Sequence, residues 1–564
     1  MKVLRVDKTA SSGIAMGKAF IIQEQELVPD YHKVENKNVC EEKKCFEQAV
    51  EEVKKDLLPL AEKSDIFAAH LELLQDIALH DGTFAKIENE NWNVEKALWD
   101  TVEEFSAVFE SMDNEYMKER AADLLDIRNR LMRKFKKLPE TDLSDIQEKV
   151  ILVAKDLAPS DTAKLDLKYV QGFLTECGGV TSHVSIMAKN MGIPALVGVK
   201  NILNEVAYGD QLIMDAGEQI IYIEPDENCI CENQKKMKEA QRCKEMLLEQ
   251  GEKPAVTKEG REIQVCANVG GLEDIQKAIK FCSDGVGLFR SEFLYMENNH
   301  FPTEEEQFEV YKEAAILLGE KELTIRTLDI GGDKGLPYFE FPKEENPFLG
   351  YRAIRIGLDK EDVLKTQLKA LLRAGQYGNI RIMYPMIISV EELKQANKLL
   401  DECKNELRRD GKAFSENIKV GIMMETPAAV MMAEELASYS DFFSIGTNDL
   451  TQYFLAVDRG NEKIASMYNS FHPGVLRAIY KIIEAAHKKG IPVGMCGEFA
   501  SSLKAVEILV GMGLDEFSMS AGCIPEVKYK INQLEYEKAR ENAKIILRQK
   551  TIKDVEKTLN EMRD

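Results

Sequence analysis

One histidine, His183, lies in a segment whose residue types suit phosphate chemistry. It follows a glycine pair and two hydroxyl residues, Thr181 and Ser182. The strand-like run 169–175 before it and Gly192 after it predict a short helix whose first turn contains the histidine. The start of a helix presents unpaired N–H groups and a positive dipole end, which favour an anion. An imidazole there could be a nucleophile that carries a phosphoryl group. Taken alone, a lone histidine fits a polar loop residue better.

Polar side chains also follow a series of short apolar runs in the second half of the chain. Glu425 and Asp449 are two carboxylates that suit a hard divalent cation such as Mg²⁺, with substrate and water as the other ligands. Arginines near the same points suit a small ligand with both phosphate and carboxylate groups. Cys496 could be a buried apolar filler or a proton donor beside the metal. Any one of these residues could instead cap a helix or form a surface ion pair. The polar residues near the run ends are Arg290, Arg326, Lys334, Arg352, Glu425, Asn448, Asp449, Arg459 and Cys496.

Eight such runs alternate with helical stretches, which indicates eight β/α units. Eight units in about 300 residues predict a closed (β/α)8 TIM barrel with insertions. A doubly wound sheet is the alternative, but the regularity of the units favours closure. In a barrel the active site lies where the strands end, so polar residues from different runs would meet there. The runs cover residues 263–267, 285–289, 323–328, 380–384, 420–424, 442–446, 491–495 and 516–519.

The first part of the chain has a different rhythm. Strand-like alternation in 1–22 resumes in short apolar runs over 150–223, and helical spacing fills 34–136 between them. We therefore expect a helical block inserted into one α/β domain. A polar helix over 231–250 predicts a linker before the barrel. The predicted domains are an α/β domain of residues 1–25 and 145–228, a helical subdomain of residues 26–144, a linker helix of residues 229–255 and the barrel of residues 256–564.

Composition narrows the class of protein. The net charge of −23 argues against a nucleic-acid binder, and no run approaches the ~18 apolar residues of a membrane helix. The eleven cysteines form no disulfide-like or zinc-like pattern, so we expect reduced thiols and a cytoplasmic protein. Residues 41–120 hold 21 acidic against 9 basic residues, a net of −12. This excess of negative charge fits either the solvated surface of ordinary helices or an acidic docking surface for a basic partner. Composition alone favours the ordinary helices.

Long motifs in a fixed order identify a resemblance. The chain resembles, from end to end, the enzyme I family of the phosphoenolpyruvate:sugar phosphotransferase system. The resemblance implies an α/β multidomain fold, with a swivelling phosphohistidine domain, an inserted helical subdomain, a linker helix and a TIM barrel. The matching motifs are GGxTSHxSIMA around His183, GVGLFRSEFLYM at 285–296, RTLDIGGDK at 326–334, ENPFLGYRAIR at 345–355, GIMMETPAA at 421–429, SIGTNDLTQYFLAVDR at 444–459 and MCGE at 495–498.

The resemblance also implies a role for each candidate residue. His183 would be the phosphohistidine, reacting through Nε2, and Thr162 would orient its ring. Cys496 would protonate the enolate of pyruvate. Glu425 and Asp449 would bind Mg²⁺. The phosphoenolpyruvate contacts would be Arg290, Arg326, Asn448, Asp449 and Arg459, with Lys334 and Arg352 as neighbours.

Partners follow from the same resemblance. The substrate would be phosphoenolpyruvate, the product pyruvate and the acceptor the phosphocarrier HPr, docked on the helical block. That docking favours the functional interpretation of the acidic surface, since HPr is basic near its own histidine. A homodimer through the barrel is implied as well. The chain departs from the family pattern at Val180 and Lys189, where arginine is usual, and at Glu72 and Ala78 in the docking helices.

Two rival functions are open at this point. Phosphoenolpyruvate synthase and pyruvate phosphate dikinase share the histidine domain and barrel, but they need an additional ATP-binding domain. The residues before the histidine domain are too few for one, and they contain no nucleotide-binding glycine loop. A catalytically silent protein that senses phosphoenolpyruvate is the second rival. The presence of His183, Glu425, Asp449 and Cys496 argues against it.

Overall fold

Two β frameworks organise the chain, an eight-stranded mixed sheet in Met1–Gln241 and a closed barrel in Arg242–Asp564. This computed structural model describes all residues except 23–26, 35–37, 62–64, 112–114, 139–145, 147, 158–167, 179–184, 186–187, 189–191, 333, 337, 462 and 563–564. Within that part of the chain, no helix has the length and apolar character needed to cross a membrane.

The mixed sheet is assembled from both ends of its unit. Its order is β1-β8-β7-β3-β4-β5-β6-β2, with β3 to β6 parallel and the other pairs antiparallel. Every residue of β4 is buried, as expected for a central strand covered on both faces. The strands are β1 Lys2–Arg5, β2 Thr9–Ser11, β3 Ile14–Ile22, β4 Val150–Ala154, β5 Val170–Thr175, β6 Ala195–Leu196, β7 Gln211–Asp215 and β8 Ile220–Ile223.

Helices occupy the chain between β3 and β4, although these two strands are direct neighbours in the sheet. The block has its own core, which includes Phe46, Leu57, Phe67 and Leu98. The buried His70 joins two of its helices, because its Nε2 lies 3.1 Å from Asp123. The helices are α1 Val39–Ala61, α2 Asp65–Leu74, α3 Ile77–Asn89, α4 Val94–Ser111 and α5 Glu115–Phe135.

A short helix, α6 Ile202–Glu205, lies between β6 and β7, and a long helix follows the sheet. This long helix, α7 Glu227–Gly251, contains the boundary between the two units at Gln241. Its sequence is polar, as predicted for a linker. The exact domain boundaries given above stay a prediction.

The barrel contains one strand for each of the eight predicted runs. All its neighbouring strands are parallel, and β10 pairs with both β11 and β17, which closes the sheet. The prediction of a TIM barrel is therefore confirmed, and the doubly wound alternative is excluded. A two-residue strand, β9 Ala255–Val256, adds to β10 in antiparallel fashion. The barrel strands are β10 Glu262–Val269, β11 Val286–Arg290, β12 Glu322–Arg326, β13 Asn379–Tyr384, β14 Lys419–Met424, β15 Phe442–Ile445, β16 Val493–Met495 and β17 Glu516–Met519.

Helices surround the barrel and several have clear sequence signals at their first residues. Thr303 and Glu306 form a capping box at the start of α10. Thr426 caps the helix behind β14, where Pro427 fills the first position. The helices are α8 Leu272–Lys280, α9 Glu292–Met296, α10 Glu304–Leu318, α11 Ile354–Asp359, α12 Glu361–Ala374, α13 Val390–Arg409, α14 Pro427–Met431, α15 Ala433–Leu436, α16 Thr447–Leu455, α17 Pro473–Lys488, α18 Leu503–Met512, α19 Ile524–Gln533, α20 Tyr536–Leu547 and α21 Ile552–Glu561.

Candidate active site

The candidate residues of the barrel lie at the carboxyl ends of its strands. Arg290 and Arg326 are the last residues of β11 and β12. Glu425 directly follows β14, and Cys496 directly follows β16. Asp449 lies in the first turn of α16, behind β15. Because the strands are parallel, these ends share one rim, where barrel active sites are built.

A buried network of ion pairs joins three cations and three carboxylates at this rim. Asp329 is its centre, because it lies 2.8 Å from Nη1 of Arg326 and 3.0 Å from Nη2 of Arg352. Lys334 contacts Glu292 at 2.8 Å, and Arg326 contacts Glu292 as well. Nη2 of Arg352 also lies 3.3 Å from Asp449. The structure thus brings together predicted residues from different strands.

The charges of this network stabilise one another. Burial would raise the pKa of Asp329, but Arg326 and Arg352 together hold it well below its usual range. Burial likewise works against the charge of Arg326, but Asp329 and Glu292 raise the pKa of the guanidinium above its ordinary value. This arrangement therefore stabilises the ionised forms of Arg326 and Asp329.

Glu292 and Asp329 were not among the residues predicted for the site. Both stand in the quoted motifs, each a few residues behind a strand end. A signal was available, because the buried Arg326 and Arg352 at one rim need carboxylates to balance their charges. Which acidic residues do so depends on side-chain geometry that the sequence does not contain.

Arg352 is held by an unusual stretch of backbone. The next residue, Ala353, is buried and has φ of 55° and ψ of −128°, a region that non-glycine residues rarely adopt. Gly331 approaches from the preceding loop with φ of 99°, and a Cβ there would lie 2.6 Å from the Cβ of Arg352. Only glycine fits this approach, so the loop and the arginine are fixed to each other.

Glu425 and Asp449 were predicted to hold a cation, and their surroundings fit one. Oε1 of Glu425 accepts a hydrogen bond of 2.6 Å from the backbone of Met386. Burial, with the carboxylates of Asp449 and Asp329, raises the pKa of Glu425 to about 8. Oδ1 of Asp449 is buried and accepts no hydrogen bond from any described residue. A cation would offset the repulsion between the carboxylates and give Oδ1 of Asp449 a closer partner than Nη1 of Arg459, which lies 3.8 Å away.

The two carboxylates would leave most of a cation's coordination to other ligands. In the described part of the chain, no group of three or more histidine, cysteine, aspartate or glutamate residues is arranged to hold a metal ion. The expectation that substrate and water complete the shell stays a prediction. Space is kept open by Gly446, where a Cβ would lie 2.8 Å from Oε2 of Glu425.

Cys496 is buried, with 4% of its surface exposed, among the apolar side chains of Leu288, Met383, Met423 and Phe442. Burial raises the pKa of its thiol to about 11, so the sulfur keeps its proton at neutral pH. The residue is fixed by its backbone, whose carbonyl accepts 2.8 Å from Nδ2 of Asn268. An ordinary cysteine thiol is already protonated at neutral pH, and apolar burial strengthens the preference for this form, which a proton donor requires.

Asn448 and Arg459 lie at the edge of this cluster. The side-chain oxygen of Asn448 accepts 3.3 Å from the backbone of Glu498. Nη1 of Arg459 lies 3.8 Å from Asp449, and 37% of the arginine side chain is exposed. Arg459 thus contacts Asp449 while part of its own side chain is open to solvent.

The predicted nucleophile is not part of the described structure. His183 and Thr162 lie outside the described residues, and so do Val180 and Lys189. The strand expected before His183 is present as β5, which ends at Thr175. The roles of these four residues stay predictions.

The helical block presents acidic residues together with an apolar cavity. Glu72 and Asp81 are exposed, and Ile77 is 74% exposed at the start of α3. A cavity of about 190 Å³ opens nearby, and the sequence reasoning did not foresee it. It is lined by Leu73, Asp76, Ala78, Leu79, Phe105, Val108, Phe109 and Leu124.

Family models cover almost all of this architecture. Those described as "PEP-utilising enzyme, N-terminal", "PEP-utilising enzyme, mobile domain" and "PEP-utilising enzyme, PEP-binding domain" match residues 8–120, 146–219 and 244–536. With the barrel rim described above, they define the class as a phosphoenolpyruvate-utilising enzyme.

Full-length relatives identify the family within that class. A protein of Buchnera aphidicola named phosphoenolpyruvate-protein phosphotransferase is 42% identical over 98% of this chain and 97% of its own. Proteins of the same name from Haemophilus influenzae and Priestia megaterium are 43% and 45% identical, over 98% and 93% of this chain and 98% and 93% of their own. The chain belongs to the phosphoenolpyruvate-protein phosphotransferase family, and the predicted resemblance is confirmed.

Proposed function

We propose that this protein transfers the phosphoryl group of phosphoenolpyruvate through His183 to the phosphocarrier HPr and releases pyruvate. This is the first step of the sugar phosphotransferase system, and we place it in the cytoplasm. The observation that carries the proposal is the buried rim of arginines and carboxylates beside a protonated thiol. The relatives that match over nearly the full length are named phosphoenolpyruvate-protein phosphotransferases, which supports the proposal.

Phosphoenolpyruvate carries a phosphate and a carboxylate, and the rim offers matching cations. Arg326 and Arg352 are buried, and the Nε of each donates to no described group. These N–H groups remain for the substrate, while the other nitrogens are fixed by Asp329 and its neighbours. Donors held in place in this way stabilise developing charge without reorganisation. The remaining contacts would come from Arg290, Asn448, Asp449, Arg459 and Lys334.

Mg²⁺ is the proposed cofactor, held by Glu425 and Asp449. When bound, it would neutralise negative charge on the phosphoryl group and on the enolate oxygen. Its contact with Glu425 would also favour the ionised carboxylate and so offset the effect of burial, which raises the pKa of this group.

The transfer is an in-line displacement followed by a proton transfer. A bond forms between Nε2 of His183 and phosphorus as the bond from phosphorus to the enol oxygen breaks, and the electron pair stays on that oxygen. Cys496 then gives its proton to the methylene carbon of the enolate, which yields pyruvate and a thiolate. Water returns the proton to the thiolate before the next cycle.

HPr is the proposed acceptor, and its dock is the helical block. Exposed carboxylates such as Glu72 and Asp81 would attract a basic partner, and the apolar cavity beside Ile77 would receive apolar side chains. The proposal requires His183 to reach the barrel and HPr in turn, so we infer that the unit containing it reorients about α7. We also propose a homodimer through the barrel.

Labelling with phosphoenolpyruvate tests the proposed function. The chain incubated with Mg²⁺ and phosphoenolpyruvate labelled in the phosphoryl group should take up acid-labile label. His183→Ala should take up none, and His300→Ala, which removes an exposed histidine of the barrel unit, should be labelled like the wild type. Label that persisted in His183→Ala would overturn the assignment of the nucleophile.

Two further arms of the experiment separate the rivals. Adding HPr should remove the label from the chain and release pyruvate continuously, which a silent sensor would not do. ATP labelled in its phosphoryl groups should leave the chain unlabelled, whereas phosphoenolpyruvate synthase or pyruvate phosphate dikinase would take up label from it.

A further inference from the structure

The hydroxyl of Tyr453 connects Arg352 of the rim to a neighbouring turn. The hydroxyl of Tyr453 accepts a hydrogen bond of 2.9 Å from Nη1 of Arg352. The same hydroxyl donates a hydrogen bond of 2.6 Å to the backbone carbonyl of Phe348. Phe348 is the middle residue of the short 3₁₀ turn Pro347–Leu349. One side chain thus bridges the arginine and the turn.

Tyr453 and Asp449 act on Arg352 from one helix. Both belong to α16 Thr447–Leu455 and are four residues apart, so they share a face of it. Asp449 lies 3.3 Å from Nη2 of Arg352, and Tyr453 binds Nη1. The helix therefore holds both terminal nitrogens of the guanidinium. Its Nε is left without a described partner.

The turn also packs against the arginine directly. The ring of Phe348 lies 6.0 Å from the guanidinium of Arg352. Gly332, with φ of 72°, allows the ring to approach, because a Cβ there would lie 3.2 Å from the Phe348 ring. Burial raises the pKa of Tyr453 to about 12, so its hydroxyl keeps the proton that it donates to the turn.

We propose that Tyr453 is a positioning residue that directs Arg352 towards phosphoenolpyruvate and holds the Pro347–Leu349 turn beside it. The inference rests on the proposed function, since it assigns Arg352 to substrate binding. Removing the hydroxyl leaves Nη1 of Arg352 without its acceptor and the carbonyl of Phe348 without its donor. The guanidinium would then be fixed through Nη2 alone.

Tyr453→Phe removes the hydroxyl and keeps the ring. The initial rate of label uptake from phosphoenolpyruvate at saturating Mg²⁺ should show a KM for phosphoenolpyruvate raised about tenfold, as expected for a lost hydrogen bond to a charged group. The maximum rate should change less than KM. Because KM does not depend on the amount of folded enzyme, the measurement holds even if the variant folds in lower yield.

Tyr338→Phe is the matched control. The hydroxyl of Tyr338 also donates to a backbone carbonyl, that of Tyr295 at 2.7 Å, and burial raises its pKa to about 12 too. It contacts no arginine among the described residues. Its KM should equal that of the wild type, which separates the loss of a buried tyrosine hydrogen bond from the loss of arginine positioning.

A double-mutant cycle with Arg352→Lys tests whether Tyr453 changes KM through Arg352. If Tyr453 acts through Arg352, adding Tyr453→Phe to Arg352→Lys should raise KM little further. An unchanged KM in Tyr453→Phe would overturn the inference. So would a double variant whose increase in KM equals the product of the increases in the two single variants. In either case the proposed function would stand. A wild-type chain that took no label from phosphoenolpyruvate would instead overturn the proposed function and this inference with it.

Discussion

Cys496 shows how the surroundings of one residue set its chemistry. A buried cysteine is usually a small apolar filler, and this one does pack among apolar side chains. The same burial raises its pKa to about 11. Filler and acid are therefore not alternatives here, because the apolar packing disfavours the thiolate and extends the pH range over which the sulfur keeps its proton.

The thiol should accordingly react as an acid of high pKa. We expect alkylation of Cys496 by iodoacetamide to rise about tenfold per pH unit through pH 9 and to level off only near pH 11, since the thiolate is the reactive form. Peptide mass spectrometry of the full chain over a pH series measures the rate at this site. The same pKa shift makes the stability of the fold depend on pH. Because the pKa in the folded state lies above its ordinary value, its contribution to the free energy of unfolding is fully present at neutral pH. That contribution is lost as the pH rises through about 11.

Two other cysteines control this experiment. Exposed Cys231 should be labelled at neutral pH, which shows that the reagent is active. Cys266 is buried in β10, and burial raises the pKa of its thiol well above the usual range, so it should also resist labelling. A rate at Cys496 that levelled off below about pH 9 would contradict the expected pKa.

At the scale of elements, an ion-pair cluster joins three barrel strands at the end opposite the candidate site. Arg381 in β13 lies 2.8 Å from Glu516 in β17 and 2.9 Å from Glu322 in β12. Its Nε donates 2.9 Å to Thr324, and its guanidinium lies 4.7 Å from the ring of Phe442. Burial would lower the pKa of Arg381, but the two glutamates raise it. Lys419 also lies 3.8 Å from Glu322, but among the described residues Arg381 alone forms an ion pair with Glu516.

Arg381→Met should destabilise the barrel by about 3 to 5 kcal/mol, because it leaves the buried carboxylate of Glu516 without a counter-charge. Amide hydrogen exchange of β12 and β13 in the full chain should accelerate accordingly. Arg408→Met is the control, since Arg408 pairs with Glu416 at a surface where both side chains are 54% exposed. That change should cost less than about 1 kcal/mol. Equal exchange in the two variants would refute the assigned role.

The fluorescence of Trp92 and Trp99 gives an internal reference for this prediction. Both tryptophans of the chain lie in the helical block of the other unit. Their emission should report the same stability for wild type, Arg381→Met and Arg408→Met. A shift in Arg381→Met alone would show that the damage is not confined to the barrel.

The elements themselves could be predicted more fully than their contacts. All eight barrel strands were found, because short apolar runs that alternate with helices have few other solutions. Arg381 was visible only as a charge within such a run. Glu292, Asp329 and the hydroxyl of Tyr453 were not assigned either, because each has a partner that lies 23 or more residues away in the chain. Sequence spacing does not encode which buried charges meet.

At the scale of the whole molecule, the candidate donor site and the proposed acceptor surface differ in burial. The candidate donor site is built from buried ion pairs in the barrel unit, whereas the proposed dock is an acidic surface of the helical block. Salt screens exposed charges strongly and buried pairs much less. The two halves of the proposed reaction should therefore differ in their response to ionic strength.

We expect transfer from the labelled chain to HPr to slow as salt rises, while uptake of label from phosphoenolpyruvate changes less. Glu72→Lys with Asp81→Lys, which reverses two exposed charges of the dock, should slow transfer to HPr about tenfold or more and weaken its salt dependence. Rapid-quench measurements of both steps on the same preparation give the comparison.

Glu556→Lys is the matched control for the dock, because Glu556 is exposed on α21 at the far end of the chain. It makes the same kind of charge reversal outside the proposed dock, so both steps should keep their wild-type rates. A dock variant that transferred to HPr as fast as this control would place the acceptor elsewhere. A dock variant that instead lost label uptake would mean that the helical block serves the first step, contrary to the separation of donor and acceptor sites proposed here.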